Sequence, residues 1–121
     1  MFNRNPMPGS ILADVLLDGR ADWTSVRTFV STARRHAGPI TYLPELTIGV
    51  LAEALLGGFV VPGYVDDLFV PWDGNPANWL ARIVFEMSQV DIEKIYTGDI
   101  AWFRNTSIGD AGASNPAPDV L

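Results

Sequence analysis

The single histidine of the chain, His36, directly follows Arg34 and Arg35. General acid or base work by an imidazole needs an orienting partner and a substrate within reach, and the neighbouring sequence offers neither. Three cations in a row suit the last turn of a helix instead, where they oppose the negative end of the helix dipole. Serines and threonines are present, but no G-x-S-x-G elbow presents one as a nucleophile, and a single histidine leaves little choice of base. There is no cysteine, which removes thiolate nucleophiles, thiolate metal sites and disulfides together. Asp66, Asp67 and Asp73 surround an apolar segment and could offer oxygens to a hard cation, yet their spacing matches no calcium loop and neighbouring aspartates commonly punctuate turns. Gly57-Gly58 lacks the further glycine and lysine of a phosphate cradle and reads as a helix stop. From these residues we expect no catalytic group, no metal and no cofactor.

Charge and aromatic content point to binding. The 121-residue chain has a formal charge of −6, unevenly spread. Residues 1 to 44 hold five arginines against three aspartates, net +2, whereas residues 45 to 121 hold three cations against eleven acids, net −8. Such a field repels phosphate backbones, whose contacts with Lys and Arg supply most non-specific nucleic-acid affinity, and attracts basic protein surfaces. Tryptophan and phenylalanine recur near Asp66, Asp67, Asp73 and Asp99. Aromatics beside acids suit a protein-binding patch with a central anchor and a charged rim. The candidate partner-binding residues are therefore Asp66, Asp67, Trp72, Asp73, Asp99 and Trp102. For Trp72 a wedge under a structural corner competes with the binding role, because FVPWDGNPANWL surrounds it with rigid residues.

The elements that must hold these residues follow from periodicity. Ser10 is a plausible cap for a helix over Ile11 to Leu17, stopped at Asp18-Gly19. Asp22 can cap a second helix, with Trp23, Val26, Phe29, Val30 and Ala33 as its buried stripe and Gly38-Pro39 as its end. Ile40-Thr41-Tyr42 suggests a tiny strand. Pro44 opens a third helix running to about Leu56. Phe59-Val60-Val61 reads as a short strand, Pro62-Gly63 as a turn, and Leu68-Phe69-Val70 as a further apolar run that Pro71 closes. Asn75-Pro76 starts a fourth helix, and Ile100 to Phe103 favours a strand with an aromatic on each face. Pairing of 59–61 with 100–104 is the simplest closure.

The fold expected is α+β and mainly helical. It is winged-helix-like, with three N-terminal helices and a small antiparallel ribbon that has an extra helix inserted between its strands. Residues 1–106 form the single globular domain and 107–121 a flexible C-terminal tail poor in apolar side chains. Lack of cysteine and of any apolar stretch near the roughly 20 residues of a membrane span, with an N-terminus unlike a secretory signal, predicts a cytoplasmic protein.

FVPWDGNP, an amphipathic helix and then GDIAWFRNT together resemble a group of short, mostly actinobacterial proteins that share an F-x-P-W corner and a G-D-I-x-W-F strand. The resemblance spans residues 44 to 106. It implies a shared fold, and since no activity is established for that group it carries over no catalytic residue. Some small acidic proteins of this kind act as immunity proteins against secreted toxins. The function expected is a non-enzymatic acidic protein-binding module, an immunity protein or inhibitor that neutralises a basic partner such as a nuclease toxin. The alternative is a winged-helix DNA-binding transcriptional regulator, against which the third helix carries two glutamates and no Lys, Arg, Asn or Gln. The high apolar fraction also raises a homodimer as an expectation.

Overall fold

The computed structural model of the chain describes residues 7–113. Five helices and a four-stranded antiparallel sheet make an α+β fold. The helices are α1 (Ser10–Gly19), α2 (Val26–His36), α3 (Leu43–Leu56), α4 (Pro76–Ser88) and α5 (Ser107–Ala113). The strands are β1 (Thr24–Ser25), β2 (Val60–Asp66), β3 (Leu68–Pro71) and β4 (Trp102–Asn105), in the spatial order β1-β4-β2-β3. Helices α1, α2, α3 and α5 pack against the sheet, on the side where Val60 and Phe103 join one contiguous core with Leu12, Leu16, Phe29 and Leu51. No helix among the described residues is long and apolar enough to cross a membrane.

Helix boundaries follow local chemistry. Asn75 Oδ1 accepts from the Asn78 N–H at 3.0 Å, and Pro76 occupies the first turn of α4, where a missing N–H costs nothing. At the end of α2, His36 Nε2 lies 2.7 Å from Asp14 Oδ2 on α1, and Arg34 pairs with Glu93. The cations expected to oppose the helix dipole therefore also tie α2 to its neighbours. His36 has the carboxylate partner that its neighbouring sequence lacks, and both groups are partly exposed at the surface.

The start of α2 differs from expectation. Thr24 and Ser25 are extended and pair with Phe103 and Trp102, so the helix begins at Val26, and the Ser25 N–H donates to Thr28 Oγ1 at 3.1 Å. Asp22 caps nothing beyond the next residue, its Oδ1 accepting from the Trp23 N–H at 2.7 Å. Trp23 thereby leaves the buried stripe of α2. Ile40-Thr41-Tyr42 is likewise no strand. The Thr41 N–H donates to the Gly38 carbonyl at 3.1 Å while Thr41 Oγ1 accepts from the Gly38 N–H at 2.9 Å, closing a tight turn that leaves Ile40 97% exposed.

Pro62-Gly63 lies inside β2 rather than at a turn. The register runs Val60 to Asn105, Val61 to Arg104, Pro62 to Phe103 and Gly63 to Trp102, which realises the expected pairing of these two segments. A proline fits a central strand here because its nitrogen side faces the end of β3. The Pro62 carbonyl accepts from the Trp72 N–H at 3.0 Å just past Pro71, where the ladder needs no further donor. The reversal falls instead at Asp67, whose φ of +63° is a left-handed conformation that aspartate tolerates. Gly63 is required by close approach. A Cβ there would stand 2.4 Å from the Val70 carbonyl oxygen and 2.7 Å from Phe69 Cζ. Gly63→Ala is expected to cost about 2 kcal/mol, measured by urea unfolding, with the loss traced to the β2–β3 ribbon by hydrogen exchange.

Residues 107–113, expected to belong to a flexible tail, form α5 and dock on α1. Small residues permit the contact, since Gly109, Gly112 and Ala113 are all buried, the two glycines close against Phe59, Leu16 and Pro8. The remainder of the expected tail, 114–121, lies outside the described residues.

Candidate functional site: the outer face of the sheet

Strand alternation divides the sheet residues in two. Val60, Pro62 and Phe103 face the helices; Val61, Gly63, Val65, Phe69, Trp102 and Arg104 face the other way, by their pairing across β2, β3 and β4. Trp23, one residue before β1, joins this outer face, with its ring 6.0 Å from that of Phe69 and tilted by 38°. The Arg104 guanidinium stands 5.0 Å from the Phe69 ring, within range of a cation–π contact. Trp102, which pairs with Gly63 across β4 and β2, packs against Gly98, where a Cβ would stand 3.0 Å from the indole. Trp23, Phe69 and Trp102 are all half-buried, and none belongs to the contiguous core or to the apolar side chains packed on it.

The chain on either side of this face is shaped by turns. Gly98 and Ile100 both have positive φ, +87° and +71°. Ile100 is the middle residue of a turn in which the Ala101 N–H donates to the Asp99 carbonyl at 2.8 Å, a strained arrangement for a β-branched residue. Asp99 clamps the same loop, its Oδ2 accepting from the Tyr96 N–H at 2.9 Å. At the other end, the β2–β3 ribbon exposes Asp66 and Asp67 at its tip together with Tyr64 and Leu68, which is 74% exposed. The free edge of β3 is poorly suited to adding a further strand. Val70 and Trp72 direct their backbone groups toward β2, so the outer edge offers the Phe69 N–H while Pro71 has none.

The six residues singled out by sequence therefore separate. Trp102 is on the outer face, Asp99 flanks it, and Asp66 and Asp67 crown the ribbon. Trp72 does not join them. It packs against the core at the corner between β3 and α4, with the Arg82 guanidinium 3.6 Å from its ring centroid. Asp73 belongs to the same corner, where its carbonyl accepts from Trp79 Nε1 at 2.8 Å and its side chain is exposed. Trp23, Phe69 and Arg104 are the site residues that sequence reasoning missed. The signal for Trp23 was the Ser25–Thr28 spacing, which places a helix start three residues later than Asp22 does.

Among the described residues no three His, Asp or Glu side chains are grouped so as to hold a metal ion. Comparison of the chain with protein-family models, with curated proteins and with solved structures finds no match. The chemistry of the face is that of stacking and desolvation at its centre and of carboxylate charge at its ends.

Proposed function

We propose that the chain is a non-enzymatic, acidic protein-binding module that engages a basic partner through the outer sheet face and the β2–β3 ribbon. The observation that carries this reading is the placement of Trp23, Phe69 and Trp102 on one sheet face, outside the core. Half-exposed aromatic rings on a rigid sheet are the residue types that dominate protein interfaces, and a partner's Arg or Lys can stack on them while meeting Asp66, Asp67 and Asp99. Neutralisation of a basic toxin fits this chemistry, and some small acidic proteins akin to the short, mostly actinobacterial group that FVPW and GDIAWF resemble act in that way. The fold reading that accompanies it is winged-helix-like. Support comes from three N-terminal helices leading into an antiparallel ribbon, with α4 between β3 and the closing strand β4.

That plan keeps DNA regulation as a second reading, but the charges oppose it. Helix α3 has only Glu45 and Glu53 as charged residues, Arg34 pairs with Glu93, and Arg27 Nη1 donates to the Ile95 carbonyl at 3.4 Å. The deciding experiment is affinity purification from cells that encode the chain, comparing wild type with Trp102→Ala and with an Asp66→Lys, Asp67→Lys double variant. A basic protein is expected with the wild type and lost with both variants. Recovery of no partner, retention by both variants, or retardation of genomic DNA fragments at low salt would each sink the proposal.

A further inference from the structure

A second surface, remote in kind from the aromatic sheet face, lies between α3 and α4. There Tyr42, Ile48, Val84, Met87, Val90 and Ile92 line a groove of about 490 Å³. Across the first turn of α3 a second hollow, of about 560 Å³, continues it past Ile40, Leu46 and Gly49. Tyr42 and Glu45 line both, so the two hollows adjoin and together make a trough on either side of these residues along the N-terminal half of α3. Its apolar rim is in solvent, with Tyr42 67% and Val90 48% exposed. Among the described residues the charged side chains lining it are Glu45 and Glu53, with no Lys or Arg. This trough explains why α3 is only weakly amphipathic. Leu51, Ala54 and Leu55 are buried on the core side, while Leu46 and Ile48 remain half-exposed on the side of the trough.

We infer that this trough is a docking site for a basic amphipathic helix of a partner protein, with apolar anchors at helical spacing in the groove and Lys or Arg beside Glu45 and Glu53. An elongated apolar channel between two helices is the shape that takes one face of a third helix. Glu45 is exposed and the Glu53 carboxylate accepts from the Gly9 N–H at 2.9 Å, so with no lining cation among the described residues the site selects basic flanks and rejects acidic ones. The same charges argue against a second copy of this chain. A two-fold interface lays one patch against itself, which would bring Glu45 and Glu53 of both copies into a desolvated apolar contact with no cation from the lining.

The test uses the full chain and a synthetic helical peptide patterned with leucine and lysine, beside a leucine and glutamate peptide of the same pattern, followed by two-dimensional NMR. The Leu/Lys peptide is expected to bind and to shift amides of α3 and α4, while the Leu/Glu peptide does not. Val84→Arg is expected to weaken binding about tenfold or more with an unchanged melting curve. Ser88→Arg, at an exposed lining position, gives the same answer if Val84→Arg fails to fold. Trp102→Ala is expected to leave this binding intact, so loss of the sheet-face reading and loss of this one are separable. Shifts confined to the sheet face, equal binding of both peptides, indifference to both groove variants, or a dimer by light scattering that Ser88→Arg abolishes would overturn it.

Discussion

Phe103→Ala is expected to lower unfolding stability by about 3–5 kcal/mol, a large share of the roughly 5–15 kcal/mol that holds a typical domain together. Phe103 is fully buried and meets Phe29 edge-on at 5.1 Å between ring centroids. It is also the point where β4 contacts both neighbours, pairing with Thr24 on one side and Pro62 on the other. Removing the ring opens a cavity between α2 and the sheet, and the rigid strands around it have little room to collapse. Thermal and urea unfolding followed by circular dichroism would show the loss. Trp102→Ala supplies the contrast. Its ring is half-buried, lies on the opposite face and is outside the core, so its effect on stability is expected to be well below that of Phe103→Ala. A Trp102→Ala variant as unstable as Phe103→Ala would mean that the outer face is a structural layer and not a recognition surface.

The two neighbours also mark what was legible in the sequence. Alternation along Ile100 to Phe103 predicts an aromatic on each face, and the structure has Phe103 inside and Trp102 outside. Only two residues of that segment are strand, because Ile100 sits in a left-handed turn that no propensity signals. Elements set by local chemistry were readable. Asn75-Pro76 opens α4 and Gly57-Gly58 follows α3, since caps and stops act over a few residues. Elements set by distant partners were not. Thr24–Ser25 becomes a strand only through β4, and that two-residue pairing moves Trp23 from a helix stripe to the outer face. Pro62-Gly63 has the composition of a turn, but Phe69 and Val70 approach Gly63 too closely for any other residue. Of the candidate site, the acids at the ribbon tip and Trp102 were readable as exposed charge and surplus aromatic, whereas the separation of Trp72 depends on the corner it packs beneath.

Gly109→Ala is expected to destabilise the protein by about 3 kcal/mol or more, the upper end of what overpacking costs, by forcing α5 off its seat. A Cβ at this position would stand 2.1 Å from the Phe59 carbonyl oxygen, which is backbone and cannot swing aside. That carbonyl is already engaged, accepting from the Thr106 N–H at 3.0 Å and lying 3.1 Å from Thr106 Oγ1. Thr106 Oγ1 in turn donates to the Gly58 carbonyl at 2.7 Å and accepts from the Gly109 N–H at 3.1 Å. One added methyl group therefore disturbs the cap of α5, the junction between α3 and β2 and the cover over Leu16 together. Gly49→Ala is the matched control. Gly49 lies inside α3 with nothing within 4 Å of a new Cβ, so alanine there is expected to stabilise by about 0.5–1 kcal/mol through helix propensity. Equal small effects at the two positions would mean that α5 is only loosely attached. A large loss at Gly109 with a gain at Gly49 would show that the small residues of 107–113, unable to form a core of their own, are what let this segment close the domain.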